Sequence, residues 1–258
     1  MTILVTGGTG TLGKPTVRLL RSTGHELRVL SRHPGAGRIV GDLSTGEGLA
    51  AALDGVDTVV HLANGMFKEA AHTARLIAAL DPDKIRHLFY ISIVGVDRNP
   101  FAYYKQKIQS ERLIEASGIP FTILRATQFH DFIANFLRPQ TRMPAVILPK
   151  TPVQPIAVEE VAARIVQLVD SEPSGHVPDI EGPEQRGVEE FATEWFAAHG
   201  HPKRIWLMSL PGASMKAFQA GVSMGGLPGY GHVTFAEYAA ADAAVGPAKP
   251  GSAKDATR

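Results

Sequence analysis

Thr6-Gly7-Gly8-Thr9-Gly10-Thr11-Leu12-Gly13 stands directly after an apolar run, Ile3–Val5, and directly before a helical pattern carried by Val17, Leu19 and Leu20. Glycines spaced G-x-x-G-x-x-G between a strand and a helix have a physical use. A pyrophosphate rests on the first amides of a helix only where the backbone comes close, and a Cβ at Gly7 or Gly10 is expected to block that approach. Gly13 is expected to let the helix pack tightly on the sheet. Thr9, Thr11 and Leu12 complete the candidate cradle. The lysine and Ser/Thr that close a nucleoside-triphosphate loop are missing, and the plain alternative is a glycine-rich turn.

Outward from this loop, short apolar runs alternate with helix-like stretches. Leu27–Leu30, Ile39–Val40, Thr58–Ala63, Leu88–Val94 and Phe121–Leu124 read as strands, and helices are expected over Ala70–Leu80 and from about Phe101 to Ser117. β-Branched strands separated by helices indicate parallel βαβ units covered on both faces. The fold class is therefore α/β, a Rossmann-type doubly wound parallel sheet. After Ala126 the rhythm loosens: Pro144–Pro155 is proline-rich, Val158–Asp170 and Val188–His199 read as helices, and Leu207–Tyr230 is rich in Gly, Met and Pro. The expected organisation is a cofactor-binding core over 1–130, remaining sheet elements and a small C-terminal substrate lobe over 131–242, and a disordered tail over 243–258.

The second strand ends Leu30-Ser31-Arg32-His33. A carboxylate at this distance from the glycines would favour a ribose hydroxyl, whereas a basic residue suits a 2′-phosphate. Ser31 and Arg32 occupy the place, and arginine's planar fork matches phosphate. The expected cofactor is NADP(H) in preference to NAD(H), against the alternative that Arg32 is a solvated loop residue.

The glycine loop, together with Gly41-Asp42-Leu43, Val56–Ala63, Tyr90-Ile91-Ser92-Ile93-Val94-Gly95 and Thr122–Ala126, resembles the atypical short-chain dehydrogenase/reductase superfamily, in its NmrA-like NAD(P)H-binding branch. The resemblance covers about half the chain. It implies that Asp42 and Leu43 line the adenine and that Ala63, with Asn64 beside it, lines the cofactor groove. Ordinary burial is the alternative for Leu43 and Ala63.

Asn99-Pro100 reads as a helix start, and on that helix Tyr103 and Lys107, four apart, share a face. The resemblance implies that the tyrosine donates a proton to a carbonyl while the lysine holds the ribose and lowers the phenol's pKa. Tyr104 has Ile108 at the matching spacing and is expected to pack inward; Glu111 continues the ridge and is a candidate partner for Lys107. The superfamily usually ends the preceding strand with a polar residue, and here Ser92 and Ile93 compete for that place on opposite faces. If Ile93 takes it, either the chemistry is weak or another donor such as Gln128 or Asn64 substitutes.

The 258 residues are 44% hydrophobic and 20% charged, with a net charge of +1 and no cysteine, which suits a soluble cytoplasmic protein without disulfide, thiolate or Cys–metal chemistry. No signal peptide, membrane span or nucleic-acid surface is expected. Gly221-Val222-Ser223-Met224-Gly225 matches a hydrolase elbow, but no strand precedes it and His232 and Asp242 follow in the wrong order. No histidine spacing suggests a metal site, and His61 and His87 are expected to be hydrogen-bonded structural residues. Gln128, Phe129 and Phe132, with His130, Asn135, Phe136 and the apolar lobe residues Met208, Met215, Phe218, Met224 and Tyr230, form the candidate substrate region, or else merely the lobe's own core. The expected function is an NADPH-dependent oxidoreductase reducing a carbonyl or quinone of an apolar or aromatic small molecule. The alternatives are a non-catalytic NAD(P)-sensing regulator of NmrA-like type and, disfavoured by Arg32, a sugar-nucleotide epimerase.

Overall fold

A computed structural model of the chain describes residues 1–245. Seven strands form one parallel sheet in the order β3-β2-β1-β4-β5-β6-β9. They are β1 (Thr2–Thr6), β2 (Glu26–Ser31), β3 (Arg38–Val40), β4 (Thr58–His61), β5 (His87–Ile93), β6 (Phe121–Ala126) and β9 (Gly175–His176). Chain order reverses direction between β1 and β4, the switch point where open α/β sheets leave a crevice beyond the strand ends.

The two faces of the sheet carry separate cores. Ile3, Val5, Val60, Phe89 and Ile91 pack against α1 (Gly13–Ser22) and α6 (Val158–Val169). Leu4, Val59, Leu88, Tyr90 and Ile123 pack beneath α2 (Leu49–Leu53), α3 (Glu69–Ala79) and α4 (Ala102–Glu115). Alternating strand residues therefore feed opposite cores, the expected outcome where helices cover both faces. A third core, centred on Phe191, Trp195, Phe196 and Phe235, joins α5 (His130–Leu137), β7 (Ala145–Pro149), α7 (Val188–Ala198) and α9 (Phe235–Val245). The remaining elements are the short antiparallel pair β8 (Pro152–Val153) and β10 (Arg186–Gly187), β11 (Arg204–Met208) beside β7, and α8 (Ala213–Gln219).

Two local expectations are corrected, and a third, that no strand precedes Gly221, is met. Asn99-Pro100 does not start the helix that carries Tyr103 and Lys107: the Asn99 side-chain oxygen accepts from the Phe101 amide at 3.1 Å, a turn two residues long, and α4 begins at Ala102. The tail does not begin at Ala243, because α9 continues through Val245; the rest of that expectation, 246–258, lies outside the described residues. The segment before Gly221 is helix α8, so the elbow-like motif follows a helix and not a strand.

Candidate functional site

The glycines divide the work at the head of α1. Gly7 sits at φ +69°, and a Cβ there would meet the Ala63 amide nitrogen at 2.5 Å, so it serves the close crossing of the loop over the end of β4. A Cβ on Gly13 would lie 2.1 Å from the Gly7 carbonyl oxygen. Gly10 differs: its Cβ would meet only that same oxygen, at 3.3 Å. Nothing in the fold needs glycine there, and the space a side chain would fill is the open face of the cradle. α1 starts without a side-chain cap and without an acid in its first turn, leaving its positive end for an anion. These features fit a dinucleotide pyrophosphate.

Beside the loop, Gly8, Thr9, Lys14, Arg18, Arg21, Ala36 and Arg38 line a cavity of about 330 Å³. Sequence reasoning named Arg32 for this role and did not name this group. Its signal was present: Lys14, Arg18 and Arg21 recur at helical spacing on one face, a pattern easily read as a solvated stripe. Ser31 is buried at the end of β2, where its hydroxyl accepts from the His33 amide at 3.2 Å. Asp42 accepts from the Ser44 amide at 2.7 Å, and that bond, with Arg32 and His72 nearby, outweighs its burial and lowers its pKa. Leu43 is a core residue of the α2 face. Ala63, half-buried, donates its amide to Thr6 Oγ1 at 3.3 Å, and Asn64 follows it exposed.

Strand register decides between Ser92 and Ile93. Leu88 and Tyr90 belong to the core under α3 and α4, so Ser92 shares that face, and Ile93 lies with Phe89 and Ile91 on the other. Ser92 is buried and its hydroxyl has no hydrogen-bond partner. Lys107 donates to the Ile91 carbonyl at 2.9 Å, and its Nζ lies 6.0 Å from the centre of the Tyr103 ring. Ser92, Tyr103 and Lys107 are thus brought to one side of the sheet, at the end of β5.

Lys107 has a partner that sequence reasoning missed. Glu69, in the first turn of α3, reaches Lys107 Nζ at 2.6 Å, and the Tyr90 hydroxyl donates to the same carboxylate at 2.8 Å. Burial opposes charge on Lys107, but Glu69 overrides it and holds the ammonium well above its ordinary pKa. Glu111, the partner expected from sequence, instead receives two bonds from Arg125 of β6, at 3.0 and 2.6 Å. Tyr103 also departs from expectation: burial first, then Glu69, raise its phenol pKa despite Lys107.

The substrate candidates do not converge. Gln128 donates to the Ser223 carbonyl at 3.2 Å, Phe129 packs on the α1/α6 core and bridges to Ile156, and Phe132 is 66% exposed on α5. His130 is buried and hydrogen-bonds the Val233 carbonyl; Asn135 accepts from Arg138. Of the lobe residues, Phe218 packs beside α4: its ring lies 5.7 Å from Tyr104, whose hydroxyl reaches Ser223. Glu111, Glu115 and His176 bring ligand atoms within 4.8 Å of one another, yet Glu111 is committed to Arg125 and Glu115 to His176 at 2.6 Å. His61 bridges Thr6 and Thr73 at 2.7 and 3.0 Å, and His87 bonds Thr122 at 2.8 Å. Among the described residues no helix is long and apolar enough to cross a membrane.

A family profile described as NAD(P)H-binding matches residues 7–172. The chain is 26% identical over 238 residues to the NAD(P)H azoreductase of Xenophilus azovorans, covering 86% of this chain and 81% of that one. It is 31% identical over 165 residues to eugenol synthase 1 of Petunia hybrida, covering 53% of this chain and 52% of the relative. The chain spans about half the length, or less, of the first curated relatives it matches. NADPH-dependent quinone oxidoreductase QOR2 of Escherichia coli, complexed with NADPH, superposes with a TM-score of 0.77 at 19% identity, covering 93% of this chain and 99% of that one. That likeness is one of fold.

Proposed function

The chain belongs to the NAD(P)H-binding family, and from that premise we propose that it is an NADPH-dependent oxidoreductase that reduces a carbonyl or quinone of an apolar or aromatic small molecule. The observation that supports the reading is that Ser92 shares the α3/α4 side of the sheet with Lys107, whose ammonium bonds the Ile91 carbonyl and lies 6.0 Å from the Tyr103 ring. Tyr103 is the proton donor, through its phenol oxygen, to the substrate oxygen. Ser92, with a buried hydroxyl in need of a partner, is the candidate to hold that oxygen once substrate reaches it. Lys107 uses two of its donors on Glu69 and Ile91 and has a third for the ribose or the phenol.

Gly7, Thr9, Gly10, Thr11, Leu12 and Gly13 are assigned to the pyrophosphate. Asp42, Leu43, Ala63 and Asn64 are assigned to the adenosine side and the groove. The preference for a 2′-phosphate is assigned to Arg32 with Ser31, reinforced by Lys14, Arg18 and Arg38 around the adjoining cavity. Bound NADPH supplies the hydride. The apolar substrate class is supported by Phe101, Tyr104 and Phe218, whose rings cluster at 5.7 to 6.1 Å beside the Ser223 contact. The azoreductase and the quinone oxidoreductase, by their names, act on molecules of comparable make-up.

The test is a panel of quinones, aromatic ketones, sugar nucleotides and small hydroxy acids, with nicotinamide absorbance followed under NADPH or NADH. Turnover confined to quinones or aromatic carbonyls supports the reading. Tight NADPH binding with no turnover on any member would replace it by the regulatory alternative.

A further inference from the structure

Lys107 is enclosed together with its counter-ion: its side chain is 5% exposed and that of Glu69 is 0% exposed. One Glu69 oxygen takes both the Lys107 ammonium, at 2.6 Å, and the Tyr90 hydroxyl, at 2.8 Å; the other has no partner. The ammonium also lies 4.8 Å from the Tyr90 ring and 6.0 Å from the Tyr103 ring. An uncompensated positive charge at that range lowers a neighbouring acid by about one to three pH units. A carboxylate in direct contact with the ammonium cancels most of this field, since the phenol then faces a dipole of zero net charge.

We propose that Glu69 is a positioning residue that holds Lys107 in an electrically neutral pair, and that this neutrality keeps the Tyr103 phenol protonated, so that the site gives a proton to a carbonyl oxygen instead of withdrawing one from an alcohol. The proposal rests on the reductase reading of the site. In the step concerned the phenol O–H bond breaks, the proton passes to the substrate oxygen as its carbon is reduced, and the phenolate is reprotonated from solvent.

The groups facing Tyr103 are Lys107 and Tyr104 from α4, Glu69 from α3 and the Asn64 amide from the loop after β4. Behind Lys107 stand Tyr90 of β5 and His61 of β4. His61 is held neutral by burial, and the Tyr90 hydroxyl is itself pushed up by burial, so neither adds charge near neutral pH. The balance at the phenol is therefore set by burial and by the Glu69–Lys107 pair, and its direction is upward. A free tyrosine–lysine couple would move the phenol the other way.

The experiment titrates the Tyr103 phenol directly, as tyrosinate absorbance of the unliganded 258-residue chain minus that of its Tyr103→Phe variant. It needs neither substrate nor cofactor, so it stands apart from the panel above: loss of turnover on every carbonyl would end the reductase reading and leave this measurement intact. The expected midpoint for Tyr103 lies above the ordinary value of about 10. In Glu69→Gln it falls by about one to three pH units, and Glu69→Asp, which keeps the charge, restores most of the difference. A midpoint below about 10 in the unmodified protein overturns the proposal even if Glu69→Gln fails to fold. An unchanged midpoint in a folded Glu69→Gln protein overturns it as well, because a purely structural counter-ion leaves the phenol where it was.

Discussion

The hydroxyl of Tyr104 donates to Ser223 Oγ at 3.1 Å, across 119 residues of chain. This bond, the Gln128 amide on the Ser223 carbonyl and the Arg98 guanidinium on the Val222 carbonyl seat residues 221–225 over the loop that follows β5. The seat exists because Gly95 has no side chain: at φ +76°, its Cβ would lie 2.0 Å from the Val222 carbonyl oxygen.

The two ends of that seat differ in cost. Gly95→Ala meets a backbone atom and an unfavourable φ together, and is expected to destabilise the fold by about 1–3 kcal/mol. Tyr104→Phe removes one side-chain hydrogen bond and is expected to cost about 1 kcal/mol, leaving any turnover close to that of the unmodified protein. Urea denaturation of both variants checks the order; a Tyr104→Phe protein less stable than Gly95→Ala would show that the docking depends on the hydroxyl rather than on the close backbone approach.

Within the glycine loop, position decides outcome. Gly7→Ala and Gly13→Ala each place a methyl within 2.6 Å of fixed backbone, so both are expected to lose stability, by roughly 1–3 kcal/mol or more. Gly10→Ala faces only one oxygen at 3.3 Å and should melt near the unmodified protein while its NADPH affinity falls. Melting curves with and without NADPH separate the cases: a Gly10→Ala protein that binds NADPH normally would remove that glycine from the cradle.

These contrasts mark what was legible in the sequence. The strands, the loop and the pairing of Tyr103 with Lys107 on one helix face follow from local spacing, and the sheet displays them as read. Ser92 against Ile93 could not be read, because a strand's two faces become distinguishable only when each has a core. Glu69 was missed for a related reason. An acid in the first turn of a helix is ordinarily a solvated dipole partner, and only the packing of α3 on α4 buries this one against Lys107. Its one local sign was membership of the stripe Glu69, Thr73, Leu76, all three buried on the inner face of α3. The docking of Val222 and Ser223 left no sign at all, since the contact joins positions more than a hundred residues apart.

Cofactor preference is expected to be shared among several cations. Arg32→Ala and Arg38→Ala should each narrow the ratio of NADH to NADPH dissociation constants by roughly tenfold or more, at the strength of a charge-assisted hydrogen bond, and leave NADH binding nearly unchanged. Calorimetry with both cofactors measures it. Equal constants in the unmodified protein would end the assignment to a 2′-phosphate, and an effect of Arg32→Ala alone would take Arg38 out of it.

His61 ties stability to pH. Burial first, with Lys107 and His72 nearby, lowers its pKa from the ordinary 6.5 to about 3. The folded protein keeps it neutral while the unfolded chain protonates it below about 6.5, so stability is full above that value and falls as pH drops from about 6.5 towards 3. Between pH 7 and 5 this one group accounts for about 2 kcal/mol. His87 and His130, also depressed by burial, act in the same direction. The informative quantity is therefore the difference between the unmodified protein and His61→Gln in unfolding free energy against pH. A difference that does not change across this range would mean the ring is not held neutral.

Lys107 and Tyr103 separate structure from chemistry. On the proposed reading Tyr103→Phe removes a proton donor that acts only in the chemical step, so kcat should fall by roughly 10²–10⁴ while NADPH affinity stays near its original value, with Tyr104→Phe as the control. Lys107→Met is different in kind. It leaves Glu69 as an unpaired carboxylate in a fully buried site, and breaking such a pair from one side costs about 3–5 kcal/mol. A loss of activity in that variant alone would therefore say little about catalysis. The double variant Glu69→Gln/Lys107→Met removes both charges and should recover much of the lost stability, since a neutral isosteric pair has no uncompensated charge. If the stable double variant remains inactive and binds NADPH more weakly, the ammonium acts on the ribose and the phenol. If it turns over like the unmodified protein, Lys107 is a structural counter-ion and Tyr103 works without it.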